Sequence, residues 1–432
     1  MTAPRLNEMT LCEMADGIAK RTVTSHDLVS ACLDRIAARE PVVKAWTYLD
    51  PDAALSQAAR CDEEPPRSPL HGIPIGLKDI IDTADMPTCY GSEAFAAHHL
   101  EQDGACVSRL RNAGAVILGK MVTTEFAYFA PGPTTNPHNP AHTPGGSSSG
   151  PVAGVADFHV PLALGSQTAG SIIRPASYTG VIGFKPSYGT YPLDGVHPLA
   201  PSLDTLGIFT RALEDLALCH NVLALSDAQH LTEPTALRPH TVAVVRGPYW
   251  DEATSTMQSA FDAFVARIQA DGIDCAALEP TQMTPIIETQ IELMAHESVA
   301  TLGPIVAEFS AQIRPETRRL VEQGRLVEAV GFEERLVTAT RFADEMMNEI
   351  FSAHDLIITP SAPGEAPVGL EATGDPMFNR VWTFCHAPCI SVPFARGAKD
   401  LPLGIQFVGA RGADARLVNF SMYLRRYSLG EQ

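Results

Sequence analysis

Apolar residues recur at three- and four-residue spacing through Leu28, Ala31, Cys32, Ile36 and Ala37, which predicts helices over residues 9–39. Thr24 or Ser25 can cap the longer one, with Asp27 in its first turn, where a negative charge meets the positive end of the helix dipole. Residues 42–49 are β-prone, 51–61 are helical again, and Pro65-Pro66-Arg67-Ser68-Pro69 reads as a linker. Residues 70–80 then form an apolar, strand-like run that holds a single lysine, Lys78. A short helix over 103–112, stopped near Gly114 and followed by a strand over 115–118, begins an α/β pattern.

Residues 126–144 are rich in Pro, Asn, His and Gly and read as an irregular surface or active-site loop, whose His138 and His142 are expected to face solvent. Past residue 210 the pattern predicts helices over 213–225 and 253–269, the second with Phe261, Phe264, Val265 and Ile268 on one face. Strands are expected over 241–245, 273–278, 355–360, 389–394 and 404–408. Residues 285–351 are mostly helical with many charges and no sharp motif, 375–384 look helical from Pro376 onward, and 413–427 form a closing helix. There is no internal repeat and no low-complexity tract.

Two stretches carry candidate chemistry. Thr143-Pro144-Gly145-Gly146-Ser147-Ser148-Ser149-Gly150 and Gly165-Ser166-Gln167-Thr168-Ala169-Gly170-Ser171 both place hydroxyls on backbone that can bend sharply. A serine there can attack a carbonyl while nearby backbone N–H groups hold the oxyanion. A lysine inside an apolar run is unusual unless paired or functional. Burial would lower its pKa and make Lys78 a usable base; the plainer reading is an ion pair with Asp79 or another carboxylate. Gly146-Ser147-Ser148-Ser149-Gly150 also fits Gly-x-Ser-x-Gly, which would nominate Ser148, but that elbow needs a strand just before it and residues 139–144 are not one.

Residues 143–186, together with Gly76-Leu77-Lys78-Asp79, resemble the amidase signature family over roughly residues 70–210. Ser147 and Ser171 stand in the family's register for a bridging serine and a nucleophile, 24 positions apart, Lys78 falls on its lysine, and Gly183-Phe184-Lys185-Pro186 follows. The resemblance implies an α/β/α sandwich whose central mixed β-sheet is covered by helices on both faces. It implies one domain over 1–432: N-terminal helices 1–65, a signature core about 66–215, a variable substrate-facing region about 216–350, and a return to the core over 351–432. It further implies a Ser171–Ser147–Lys78 triad, a cis peptide bond between Gly146 and Ser147, and an oxyanion hole from the backbone N–H groups of Thr168, Ala169, Gly170 and Ser171. The expected activity is amide hydrolysis through an acyl-enzyme, without metal or organic cofactor, in the malonamidase-like branch or near it.

Three departures stand out: Gln167 replaces the family's aspartate, Ala169 replaces a glycine, and Arg174 lies three residues after the nucleophile with Pro175 behind it. Arg174 is a candidate for holding a substrate carboxylate or, alternatively, for a salt bridge at the helix start. Phe378, Trp382 and Phe384 are candidate acyl-pocket lining or core. A net charge of −19 argues against a nucleic-acid partner. No run of about 20 apolar residues suggests a membrane span. The N-terminal residues lack the apolar core of a signal peptide. Nine scattered cysteines fit free thiols in a reducing cytoplasm, and Cys385-His386-Ala387-Pro388-Cys389 reads as buried chain in preference to a metal clip. The expected partner is a small amide, carboxylated first and aryl next, with homodimerisation open. Rivals are a glutamyl-tRNA amidotransferase A-type subunit, against which the acidic balance weighs, and a silent binding protein on the same fold.

Overall fold

Most strands in this chain carry apolar residues at consecutive positions, without the strict alternation of a half-exposed sheet, and such strands must be covered on both faces. That is what the computed structural model shows for residues 5–225, 230–231, 234–327 and 329–428, which it describes; the first four residues of the N-terminal stretch lie outside them. Eleven strands join one mixed sheet. In chain order they are β1 (Trp46–Leu49), β2 (Pro74–Lys78), β3 (Val116–Met121), β4 (Leu162–Gln167), β5 (Ile182–Lys185), β6 (Thr205–Thr210), β7 (Thr241–Val245), β8 (Asp274–Leu278), β9 (Leu356–Pro360), β10 (Cys389–Arg396) and β11 (Pro402–Val408). Their spatial order is β1-β3-β2-β4-β6-β5-β10-β11-β9-β7-β8. β2, β3, β4, β5, β6, β9 and β11 are buried throughout, whereas the two edge strands β1 and β8 are mostly half-buried or exposed and β10 ends on exposed Arg396. Helices flank the sheet, and one hydrophobic cluster runs from Leu11 to Leu424.

Local signals set most element ends. Thr24 Oγ1 accepts from Asp27 N and Asp27 Oδ2 accepts from Thr24 N, a reciprocal cap on the helix Ser25–Val43. That helix runs into the stretch expected to be β-prone; Lys44, at φ +54°, ends it, and β1 begins at Trp46. The predicted helix over 375–384 is shorter than expected, Arg380–Phe384. Tertiary contacts decide this: Asn379 Nδ2 donates to Ser361 O (3.1 Å) and Gln406 Oε1 (2.9 Å), so residues 376–379 form a turn that reaches toward the sheet. Within the stretch 216–350, β7 and β8 extend the sheet beyond β9. His138 is exposed, but His142 is buried, its Nδ1 bonded to Ala366 O at 2.7 Å. The Pro- and Asn-rich loop around it is folded inward through Asn136, whose Nδ2 donates to Thr143 O and Tyr178 O.

Three central strands position the chemistry. β2 lies parallel between β3 and β4, so Lys78 ends one strand while the loop after β4 starts beside it. The helix Ser149–Ala156 packs beneath this edge, and Asp157 at its end takes ion pairs from Arg35 (2.9 Å) and Arg39 (3.0 Å) of the helix Ser25–Val43. At its start Gly150 leaves no room: a Cβ would sit 2.3 Å from Ala45 O and 2.4 Å from Val122 N. Gly150→Ala is therefore expected to cost about 1–3 kcal/mol of stability and to lower the thermal unfolding midpoint. Gly303→Ala, whose new methyl meets nothing closer than 3.9 Å, should leave the midpoint unchanged or raised.

Candidate active site

Lys78 is 0% exposed, and among the described residues the hydrogen-bond partners of its Nζ are two hydroxyls, Ser147 Oγ at 2.7 Å and Ser166 Oγ at 2.8 Å, to both of which it donates. The ion pair with Asp79 is not made. β2 ends at Lys78, and in the turn that follows Asp79 meets Lys120 Nζ at 3.4 Å and accepts from Cys89 N at 3.1 Å. Burial pushes the Lys78 pKa down to about 7, with the buried carboxylate of Asp204 acting the other way. Ser166, on β4, was not separable from the surrounding small residues by sequence; it becomes visible only because β4 lies beside β2.

The Gly146–Ser147 peptide bond is cis. Both of its flanks are held. Gly146 O accepts from Arg174 Nη2 at 2.7 Å, and Ser147 O accepts from Thr124 N at 3.1 Å. Ser149 Oγ donates to Gly145 O at 2.9 Å, and Gly145 itself sits at φ +85°, which favours a residue without a side chain. Ser148 is fully buried with its Oγ donating to Ser166 O (3.3 Å), so the hydroxyl nominated by Gly-x-Ser-x-Gly faces the interior.

Ser171 lies in the turn between β4 and the short helix Ile173–Thr179. Gln167 organises that turn where the family pattern has a carboxylate. Its Oε1 accepts from Ile172 N (2.9 Å) and Ile173 N (3.1 Å), and its Nε2 donates to Thr383 Oγ1 (3.0 Å). A neutral amide thus does the capping and spends its second group on a neighbouring helix. Thr383 Oγ1 in turn donates to Ala169 O (2.8 Å), and Gln290 Nε2 donates to Thr168 O (3.1 Å). In a trans peptide the C=O and the following N–H point opposite ways. Tying down the carbonyls of Thr168 and Ala169 therefore turns the N–H groups of Ala169 and Gly170 away from those partners. The N–H groups of Thr168, Ala169, Gly170 and Ser171 have no acceptor among the described residues. Gly170 is obligatory, since a Cβ there would lie 2.5 Å from Asn379 Oδ1 and 2.6 Å from Pro376 Cβ. Ala169 is accommodated and buried.

Ser171 is 8% exposed and its Oγ makes no hydrogen bond among the described residues. The structure thus joins Lys78 to Ser147, but no hydrogen bond joins Ser147 Oγ to Ser171 Oγ. Catalytic contacts commonly tighten only when substrate is bound.

Asp204 was missed by sequence reasoning, being one acid among many in a loop-to-strand segment. It is buried, accepts from Thr168 Oγ1 (2.5 Å), Leu199 N (2.8 Å) and Ala200 N (3.1 Å), and burial raises its pKa to about 7. Arg174 forms no salt bridge at the helix start. It is 1% exposed and serves the Gly146 carbonyl and Thr373 Oγ1 (3.2 Å), with Phe129 against its guanidinium. Its Nε and Nη1 are sealed from solvent and have no partner among the described residues, so a substrate carboxylate would not reach them in this conformation. Phe378, Trp382 and Phe384 are buried members of the main hydrophobic cluster. His386 Nε2 is bonded to Ser202 O, and all nine cysteines are free thiols. Among the described residues no three His, Cys, Asp or Glu side chains gather as a metal site. No helix there is long and apolar enough to cross a membrane.

Comparison with known proteins agrees with this architecture. The Amidase family model matches residues 27–418. The A subunit of the glutamyl-tRNA(Gln) amidotransferase of Mycobacterium bovis is 30% identical over 94% of this chain and 94% of its own length. Its counterpart in Mycobacterium leprae is 30% identical over 96% and 95%. Among solved structures, the peptide amidase from Stenotrophomonas maltophilia superposes with a TM-score of 0.85 at 25% identity, covering 98% of this chain and 97% of that one. With its mixed eleven-stranded sheet, its buried lysine against a serine of a cis peptide, and a family match across nearly its whole length, the chain belongs to the amidase family.

Proposed function

We propose that this chain hydrolyses a carbon–nitrogen amide bond with Ser171 as nucleophile, Ser147 as proton bridge and Lys78 as base. The observation that carries the reading is the amine of Lys78, shut away from water and from every carboxylate contact, 2.7 Å from the Ser147 hydroxyl. Neutral Lys78 takes the Ser147 proton as Ser147 takes the Ser171 proton. The Ser171 Oγ–carbon bond forms, and the carbonyl oxygen becomes an oxyanion received by the N–H groups of Thr168, Ala169, Gly170 and Ser171. The carbon–nitrogen bond then breaks as Ser147 delivers a proton to the departing nitrogen and takes one back from the Lys78 ammonium, which is neutral again. Water, deprotonated through the same relay, releases the acid and restores Ser171. No step calls for a metal or organic cofactor, and free thiols favour a reducing, cytoplasmic setting.

A second reading is transfer of ammonia within an amidotransferase complex, favoured by the 30% identity to the A-type chain of such complexes along almost the whole length. The two separate in one assay. A lone hydrolase turns over small amides without partners, whereas an amidotransferase component shows glutaminase activity and co-purifies with other chains.

Covalent labelling by a fluorophosphonate probe is expected in the native protein and absent in Ser171→Ala; labelling that survives the substitution would reassign the nucleophile. Because Lys78 must be uncharged to accept a proton and its pKa lies about 7, kcat/KM should fall as pH drops through that value and level off above it. Lys78→Ala should remove this limb and most of the rate; a native-like profile in the variant would dismiss the lysine as base. Arg174→Ala should lower kcat for neutral and carboxylated amides alike, since Arg174 serves the Gly146 carbonyl; a KM effect restricted to carboxylated amides would return it to the substrate.

A further inference from the structure

Asp204 is a buried carboxyl group that the proton relay above leaves unused. It lies one residue before β6, which runs antiparallel to β4 with Thr205 opposite Gln167. The group therefore stands at the sheet end where β4 gives way to the Ser171 turn. Three donors converge on it: Thr168 Oγ1 donates to Oδ1 (2.5 Å), and Leu199 N (2.8 Å) and Ala200 N (3.1 Å) donate to Oδ2. None of the three is a cation. A carboxylate kept from water by neutral donors alone is costly, and a loop that only had to be anchored could use an amide instead.

The carboxyl group reaches the chemistry in two ways. Through Thr168 it touches the turn itself. The Thr168 hydroxyl is on Asp204, and its carbonyl accepts from Gln290 Nε2 (3.1 Å), whose Oε1 is held by Arg380 Nη1 (2.8 Å). With side chain and carbonyl both fixed, the peptide plane between Thr168 and Ala169 keeps its direction, and so does the Ala169 N–H. Through space it reaches the base. β2 lies on the other side of β4, and Lys78 Nζ is bonded to Ser166 Oγ of β4. Asp204 is the one charge acting on Lys78 among the described residues, and it favours the ammonium. The other groups that face Lys78 are the Ser147 and Ser166 hydroxyls, since Asp79 is turned to Lys120. Asp204 is also faced by Glu297, from the helix Met283–Thr301, which opposes its ionisation, and by Tyr188, which follows β5.

Resting on the amide-hydrolysis reading above, we propose that Asp204 is a positioning residue of that reaction: its carboxylate fixes the oxyanion turn through the Thr168 hydroxyl and compensates the ammonium that Lys78 becomes on taking the serine proton. Lys78 has no counter-ion in contact. The charge it gains during turnover would otherwise stand alone in a dry interior, where electrostatic interactions are strongest. Asp204 itself neither gives nor takes a proton in the relay. An oxyanion on the turn and an ammonium on Lys78 arise together, and one side chain is bonded to the first element and faces the second by charge. Burial holds Asp204 up to about 7, where Lys78 also lies, so the acid limb of the rate belongs to the two groups as a pair.

The rate at which a fluorophosphonate labels Ser171, followed against pH, tests this without knowledge of the natural amide. Asp204→Asn keeps the shape and a bond to the Thr168 hydroxyl but removes the charge. Its acid limb should move to lower pH, because Lys78 loses the charge that favours its ammonium, and the plateau rate should fall with the weaker base. Thr168→Val removes the tether. Its plateau rate should fall by about tenfold or more, short of the roughly 10²–10³-fold of losing an oxyanion donor outright. Thr168→Ser restores the hydroxyl and should recover most of that loss. A purely structural Asp204 would lower the thermal midpoint and leave the limb in place. A limb that stays or moves upward in Asp204→Asn, or a native plateau in Thr168→Val, would overturn the assignment. Should Asp204→Asn fail to fold, a Thr168→Ser protein as slow as Thr168→Val would overturn it equally. A native protein that takes no label would instead remove the nucleophile reading, whereas label lost in Ser171→Ala with an unmoved limb in Asp204→Asn would sink the role of Asp204 alone.

Discussion

An amine with no counter-ion in contact, closed inside protein, is the constraint around which the centre of this molecule is built. Desolvation disfavours the ammonium form, and Lys78 is surrounded by hydroxyls that accept or donate equally well. It could be held as a neutral amine only on a rigid element covered on both faces. β2 supplies that, flanked by β3 and β4 in parallel and buried at every position. The neighbouring carboxylate, Asp79, is removed from the problem by its own partner, Lys120, so the two adjacent ionisable residues belong to separate networks.

The turn that carries Ser171 is organised by the opposite device, neutral amides and hydroxyls in place of charge. Gln167, Thr383 and Gln290 fix its carbonyls and the first N–H groups of the following helix. Asp204 anchors the Thr168 hydroxyl, and burial raises its pKa to about 7.

Much of the fold was legible in the chain. The strand-like runs over 355–360 and 404–408 marked two strands of the sheet, and Thr24 with Asp27 marked a helix start. These signals are local, so a window of a few residues contains them. Errors fell where distant contacts overrode local preference. Asn379 is drawn to Ser361 and Gln406 and shortens a helix; His142 is buried against Ala366, 224 residues along the chain. The family resemblance nominated Lys78, Ser147 and Ser171, but their surroundings were not legible in the sequence. Ser166, Asp204, Gln290, Thr383 and Arg380 carry no motif; each acquires meaning only through a partner on another element.

By itself the sequence determined which elements form and which residue types are on offer: an isolated lysine in an apolar run, two serines on glycine-rich bends, and an arginine just after the second. Periodicity, capping and backbone freedom are properties of neighbours in the chain. Tertiary structure alone decided whom each side chain meets. It gave Lys78 hydroxyls in place of Asp79, gave Arg174 the Gly146 carbonyl in place of a carboxylate, and set Asp204 on the Thr168 hydroxyl. Hydrogen bonds and charges act over a few ångströms in space, and only the folded sheet brings residues separated by tens to hundreds of positions within that range.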